Sequence, residues 1–412
     1  MEQIHERVAG LDVHRDSVAA CVRLPGSRRG TVTHKQRFST MTNGLGQLAA
    51  WLSEHRVEVV GMEATGVYWK APYYALEGRE FELWLCNAHH VKNVPGRKTD
   101  MSDAEWLADV VAHGMVRPSF VPPPAIRELR DLTRYRRTQV DMRSAESQRL
   151  EKVLQDAGIK LSSVASKVLS MSGRNMVEAL IAGQQDTGVL AEMAIGRMRN
   201  KRSELSEALN GHFGPHHAVA ARQILDHVDF IDIGVTTLSQ QIAVLTKPFA
   251  SVFDLLDPVP GLGRLSIEVI IAETGADMSR FPSAGHLASW AGVCPGNHES
   301  AGKRRRVATT PGNPWLRRAL IESAHAAART KESYFAAQYR RLAHRRGPNK
   351  AAVAVAHSLL VVIWHVLSTG ERYQDLGSDW FERRQDPERE TRRLVGRLEA
   401  LGHRVELVKP AT

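Results

Sequence analysis

The sequence is short of cysteine. Of its 412 residues, three carry a thiol, Cys21, Cys86 and Cys294, and no two form a CxxC pair. That argues against a disulfide framework and against a thiolate zinc site. The N-terminal stretch MEQIHERVAG lacks the apolar segment of a secretory signal. No uninterrupted apolar run reaches membrane-spanning length. The richest stretch, Ala351 to Leu367, is interrupted by His357, Ser358 and His365, and reads as a short buried helix. Internal repeats and low-complexity tracts are also missing. The expected setting is a reducing cytoplasm, with no membrane partner.

What is present is an ordinary globular composition, 43% hydrophobic and 24% charged, long enough for two or three domains. The formal net charge is +10. Between Gly296 and Lys350 there are 13 Lys/Arg against 3 Asp/Glu, an excess equal to that of the whole chain. The remainder is therefore balanced. A positive field confined to one segment suits phosphate binding better than general solubility.

The first part of the chain alternates strand and helix signals. Arg7 to Asp12, Ser17 to Leu24 and Thr31 to Phe38 read as three consecutive strands. Leu45 to Trp51 has helical spacing, and Val57 to Met62 and Phe81 to Cys86 read as two further apolar strands. This order predicts an α/β domain with a mixed sheet over residues 1–121, the order of a ribonuclease-H-like fold. Pro122-Pro123-Pro124 punctuates the chain. Ala125 to about Gln155 then reads as a long amphipathic helix, and helical signals continue to about Leu245. Residues 125–250 are expected to be an all-helical or coiled-coil linker, a stalk or oligomer contact without chemistry. Asp257-Pro-Val-Pro-Gly-Leu-Gly opens another helix, Ser266 to Glu273. Gly261 and Gly263 make this either a helix-hairpin-helix-like turn facing a phosphate or a plain helix start. Residues 251–370 form the expected helical C-terminal domain, and 371–412 a charged tail.

Four acids stand out by placement. Asp12 ends the first strand, Glu63 ends a later apolar strand, and Asp100 and Asp103 lie at the start of a helix running to about Ala112. Singly, each has a plain explanation as a turn former or a helix-dipole charge. Together, on this strand order, they suit a shared site for Mg²⁺ or Mn²⁺, which take hard oxygen ligands and assist phosphoryl transfer.

The motifs carrying these acids are Gly-Leu-Asp-Val-His at 10–14, Met-Glu-Ala-Thr-Gly-Val-Tyr-Trp at 62–69 and Lys-Thr-Asp-Met-Ser-Asp-Ala at 98–104. They resemble the signature of the insertion-sequence IS110 (DEDD) transposases, a family that includes the Piv-type DNA invertases. The resemblance implies a RuvC-like domain whose metal-binding acids fall on Asp12, Glu63, Asp100 and Asp103. A second set of motifs fits the same family. It comprises Ala288-Ser-Trp-Ala-Gly-Val-Cys-Pro295, Ser300-Ala-Gly-Lys-Arg-Arg-Arg306 and Pro311-Gly-Asn-Pro-Trp-Leu-Arg-Arg318. By chemistry alone, a loop serine beside glycine is more often a turn residue than a nucleophile. Aligned on Gly302-Lys303, the resemblance places the family's nucleophilic serine at Ser300, with Ser289 as the fallback. Glu299 and Ala301 depart from the family's usual small-residue run.

Lys303, Arg304, Arg305 and Arg306 form a cluster expected in a loop, and Arg317 and Arg318 lie in the first turns of the next helix. Both groups could grip a phosphate backbone. The resemblance further implies a homo-oligomer, dimer or tetramer, directed by a structured non-coding RNA. Competing expectations are a RuvC-like structure-specific nuclease without a serine intermediate, and a non-catalytic nucleic-acid scaffold.

Overall fold

Of the three strands that open the chain, the first two bury side chains on both faces, while the third is exposed apart from Phe38. The structure, a computed structural model, describes residues 3–26, 30–64, 66–87, 91, 103–295, 299–300, 303–304, 309, 312–383 and 387–407. The chain divides into two compact units, Met1–Val121 and Pro122–Thr412.

The first unit contains β1 (Val8–Val13), β2 (Ser17–Pro25), β3 (Thr31–Ser39), α1 (Thr42–Glu54), β4 (Val59–Glu63), α2 (Lys70–Leu76), β5 (Glu82–Cys86) and α3 (Asp103–Ala112). The sheet order is β3-β2-β1-β4-β5. The β1–β2 and β2–β3 pairs are antiparallel, while β1–β4 and β4–β5 are parallel. This mixed sheet is compatible with a ribonuclease-H-like domain. Strand side chains alternate with period two, so each strand feeds two layers. Ala9, Leu11, Val60 and Met62 enter one core with Leu45, Leu48 and Leu52 of α1. Val8, Val59, Trp84 and Cys86 enter the other with Leu107, Val110 and Val111 of α3.

Two glycines let α3 lie close on this second face. A Cβ on Gly10 would stand 2.0 Å from the Ala104 carbonyl oxygen and 2.5 Å from the Ala108 nitrogen. One on Gly61, its cross-strand partner, would stand 2.6 Å from Val111 Cγ2. The first clash is with helix backbone, and the second with one methyl group of the buried Val111 side chain, a smaller obstruction. Gly10→Ala is therefore expected to destabilise the protein by about 1–3 kcal/mol, the range for overpacking, and Gly61→Ala by less. Denaturant unfolding checks the order; equal effects would show that α3 does not rest on Gly10.

The regular structure of the second unit is mostly helical. It begins with α4 (Pro124–Asp156), in which Pro124 occupies the first turn, where no N–H is needed. There follow α5 (Leu161–Val164), α6 (Met171–Ile181), α7 (Thr187–Glu192), α8 (Arg202–Ala208) and α9 (Pro215–Leu245). Helices α4 and α9 pair antiparallel: Asp156 meets His217, Glu146 meets His227 and Arg143 meets Asp232, in reversed order along the two helices. The helices between them share a core at one end of this pair, with Leu150 and Leu154 of α4 and Leu225 of α9.

At the other end, Ile126, Leu129 and Ile242 join a second core. It is built on α10 (Ala250–Leu256), α11 (Arg264–Thr274), α12 (Ala284–Trp290), α13 (Pro314–Ala327), α14 (Tyr334–Arg346) and α15 (Pro348–Thr369). Helices α16 (Trp380–Arg383) and α17 (Pro387–Ala400) follow. Helix α15 corrects the sequence reading of a short segment. It runs for 22 residues, long and apolar enough by composition to cross a membrane, as is α9. Its two histidines do not interrupt it, and Val355, Leu359, Leu360 and Ile363 are packed in the core.

Candidate active site and nucleic-acid interface

The register of the sheet brings two of the predicted acids to one level. Leu11 pairs with Met62 across parallel strands β1 and β4, and Asp12 and Glu63 are the next residues on each. By the two-residue period, Asp12 shares a face with Gly10 and Glu63 shares a face with Gly61. That is the face on which α3 lies, because both glycines contact it. Asp103 is the first residue of α3, immediately before the Ala104 that abuts Gly10. Asp12, Glu63 and Asp103 therefore lie on one face at one end of the central strands. Asp100 lies outside the described residues.

The surroundings are those of an oxygen-donor site. Asp12 is partly exposed, and its Oδ2 accepts a hydrogen bond from His14 Nε2 at 3.1 Å. Cys86 is the β5 residue paired with Glu63. Burial first, and the Glu63 charge second, push its thiol up to about 12. Cys21 is pushed up to about 11, chiefly by burial, and burial also raises Cys294. With thiols raised in this way, the cysteines are neutral at pH 7 when no metal is bound. The carboxylates are hard ligands of the kind Mg²⁺ selects. Helix α3 is tied to the sheet outside this site by ion pairs of Glu105 with Lys35 and of Asp109 with Arg23.

Among the described residues, the acids and histidines whose ligand atoms lie within 4.8 Å of one another are Asp156, His216 and His217. Asp12, Glu63 and Asp103 do not close to that distance. The histidine group holds together without an ion. The Gly214 N–H donates to His217 Nδ1 at 3.0 Å, so Nε2 carries the proton that His217 gives Asp156 at 3.0 Å. Both ring nitrogens of His217 are thus engaged. The adjacent histidines at 216–217 were the only sequence sign of this group.

Ser300 lies on a ribbon in the second unit. Strand β6 (Glu299–Ser300) pairs antiparallel with β7 (Lys303–Arg304), placing Lys303 opposite Ser300 and Arg304 opposite Glu299. A further bridge joins Pro295 to Thr309. This corrects the expectation that Lys303 to Arg306 form a loop: the first two are strand residues, and Arg305 and Arg306 lie outside the described residues. Two-residue strands are too short to show periodicity in a sequence.

A clamp fixes the base of the ribbon. A Cβ on Gly312 would stand 2.3 Å from the Gly292 nitrogen, so the chain entering the ribbon nearly touches the chain leaving it. The Asn313 N–H donates to the Trp290 carbonyl at 3.1 Å, and its Oδ1 caps α13 by accepting from Trp315 and Leu316 N–H groups. Asn313 Nδ2 donates to Glu273 Oε2 at 2.7 Å. Glu273, fully buried on α11, also takes both hydrogen bonds of the Arg134 guanidinium at 2.8 Å and an ion pair from Arg130. Sequence reasoning took Glu273 only as a helix end. The missed signal was two acids, Glu268 and Glu273, within the apolar run of α11.

Arg317 is half-buried in the first turn of α13. Arg318 makes a bidentate pair with Asp141 of α4, both contacts 2.7 Å, and a further ion pair with Glu322. Ser289 is exposed on α12. Gly261, with φ +86°, faces α13 so closely that a Cβ would stand 2.3 Å from the Ser323 carbonyl oxygen. Its role is helix packing, while Gly263 has open space around it.

Comparison with known proteins bears on these residues. A family model described as the DEDD transposase of IS110 elements matches residues 9–159. A second, described as the transposase IS116/IS110/IS902 family, matches residues 254–340. The chain belongs to the IS110 transposase family. The transposase for insertion sequence element IS1111A of Coxiella burnetii is 24% identical over 381 residues, 89% of this chain and 91% of the relative. A putative transposase y4pF/y4sB of Sinorhizobium fredii is 32% identical over 124 residues, 29% of this chain and 32% of that protein. IS110 transposases are enzymes that act on DNA by cutting and rejoining it, and DEDD transposases typically use a divalent metal. The first matched segment contains Asp12, Glu63 and Asp103, and the second contains Glu273, the ribbon and Asn313.

Proposed function

We propose that this IS110 transposase cuts and rejoins DNA with Ser300 as nucleophile, and that Asp12, Glu63, Asp100 and Asp103 hold Mg²⁺ or Mn²⁺. The observation carrying the proposal is that Asp12 and Glu63 end adjacent parallel strands at one level, on the face where Asp103 opens α3. Bound there, divalent ions would supply positive charge for the oxygens entering and leaving phosphorus.

The serine supplies the covalent step. Its Oγ loses a proton to base and bonds to phosphorus, while the bond to the leaving strand oxygen breaks and that oxygen takes up a proton. A hydroxyl of the strand to be joined then attacks the phosphoserine ester, loses its proton, and releases the protonated serine. The ribbon register supports a cationic setting, with Lys303 opposite Ser300 and Arg304 opposite Glu299. Lys303, Arg304, Arg305, Arg306 and Arg317 hold the nucleic-acid backbone, with Arg318 contributing beside its pair with Asp141. The enzyme works in the cytoplasm on nucleoid DNA, as a homo-oligomer directed by a structured non-coding RNA. The concentrated positive segment suits either nucleic acid.

Incubating the protein and its copurifying RNA with DNA carrying element ends and Mg²⁺ tests this reading. The expected product is a denaturation-resistant protein–DNA adduct, absent when EDTA is present. Metal-dependent cleavage with no adduct at any time would favour the nuclease instead.

A further inference from the structure

Helices α4, α11 and α13 enclose a cleft of about 140 Å³. Four of the side chains lining it are arginines, Arg134, Arg136, Arg137 and Arg318, and two are carboxylates, Glu273 and Glu322. Both carboxylates are already engaged, Glu273 by Arg134 and Glu322 by bidentate contacts from Arg137 at 2.8 and 3.1 Å.

The arginines are not fully engaged. The Arg136 side chain is 8% exposed, and its NH2 lies 2.7 Å from Glu268 Oε2, yet its NH1 is buried without a hydrogen-bond acceptor. The 2.7 Å contact is an ion pair without hydrogen-bond alignment, since Glu268 Oε2 also lacks a hydrogen-bond donor. Arg137 Nε is buried without an acceptor as well, its nearest carboxylate oxygen, on Asp141, being misaligned at 3.3 Å. Buried N–H groups are normally paired, and those of a guanidinium pair best with anionic oxygen. Glu273, Glu268, Glu322 and Asp141 balance the four arginines in charge, and it is the two orphaned guanidinium donors that call for a further anionic oxygen.

We propose that this cleft binds a phosphodiester of a nucleic-acid strand through Arg136 and Arg137. The inference rests on the family's action on nucleic acid and not on the role of Ser300. Trp315, in the first turn of α13, forms part of the wall, with the Arg134 guanidinium 5.6 Å from its ring centre. Because α13 starts where the ribbon's clamp ends, a strand held here passes the base of the Ser300 ribbon. DNA and RNA share the phosphodiester, and the test separates them.

The full-length protein is titrated against a short single-stranded DNA and an RNA of the same sequence, by fluorescence anisotropy across a salt series. Arg136→Gln and Arg137→Gln are compared with wild type. Glu268 keeps Arg264 and Glu322 keeps Arg318 in these variants, so neither carboxylate loses its last partner. Arg199→Gln, in the exposed turn before α8, controls for overall charge. Each cleft variant is expected to weaken binding roughly tenfold, the loss of one charged hydrogen bond. The slope of log affinity against log salt should flatten by about 0.7 per lost phosphate contact. A loss with DNA alone, RNA alone or both identifies the strand. Unchanged binding of both strands overturns the proposal, as does an equal loss in Arg199→Gln. If Arg136→Gln fails to fold by circular dichroism, Arg137→Gln decides.

Discussion

Ser300→Ala is expected to eliminate the covalent protein–DNA adduct and to lower strand joining by about a thousandfold or more, the scale of losing a nucleophile that acts as one unit with its partners. The substitution removes a single oxygen from a two-residue strand. The ribbon is held by other means: the Pro295–Thr309 bridge, the close approach of Gly312 to Gly292, and the Asn313–Glu273 hydrogen bond. Thermal stability and DNA affinity should therefore match wild type, and chemistry alone should fail. Ser300→Cys keeps a nucleophile of different metal preference and should recover a trace of adduct. If Ser300→Ala still joins strands while Ser289→Ala does not, the nucleophile is on α12 and the ribbon is a binding element.

The second large effect is expected from the acids. Asp12→Asn and Glu63→Gln preserve shape but remove charge at the strand ends. Metal assistance contributes several kcal/mol to such reactions, so each change should slow cleavage by roughly a hundredfold to ten-thousandfold. DNA affinity should hold or rise, because a negative charge near the phosphates is lost. Full activity in both variants, measured as cleavage rate with saturating DNA, would mean these acids do no chemistry.

Much of the first unit was legible because its central strands, β1 and β4, are buried on both faces. Val59–Glu63 and Glu82–Cys86 stand out as apolar runs, and β1 and β2 bracket a short polar turn. Asp12 and Glu63 were legible for the same reason, each lying at the end of an apolar strand, and Asp103 by its place at a helix start. What the sequence hid were the residues that act through distant partners. Gly10 and Gly61 each stand two places before an acid, yet only the packing of α3 reveals that they form its seat. Arg318 reads as a free cation until Asp141, on another helix, takes both its terminal nitrogens. Glu273 reads as a helix end until Arg130 and Arg134 of α4 and Asn313 at the start of α13 give four hydrogen bonds to its carboxylate and its own backbone carbonyl. Burial of a charge is set by tertiary partners, and composition carries no record of which arginine supplies the pairing.

Anomalous diffraction from crystals grown in Mn²⁺ would show where this protein holds its metal. Anomalous peaks are expected within coordination distance of both the Asp12 and Glu63 carboxylates, with Asp103 and Asp100 completing the set. Peaks confined to Asp156 and His216, with none at the end of β1 and β4, would contradict the account.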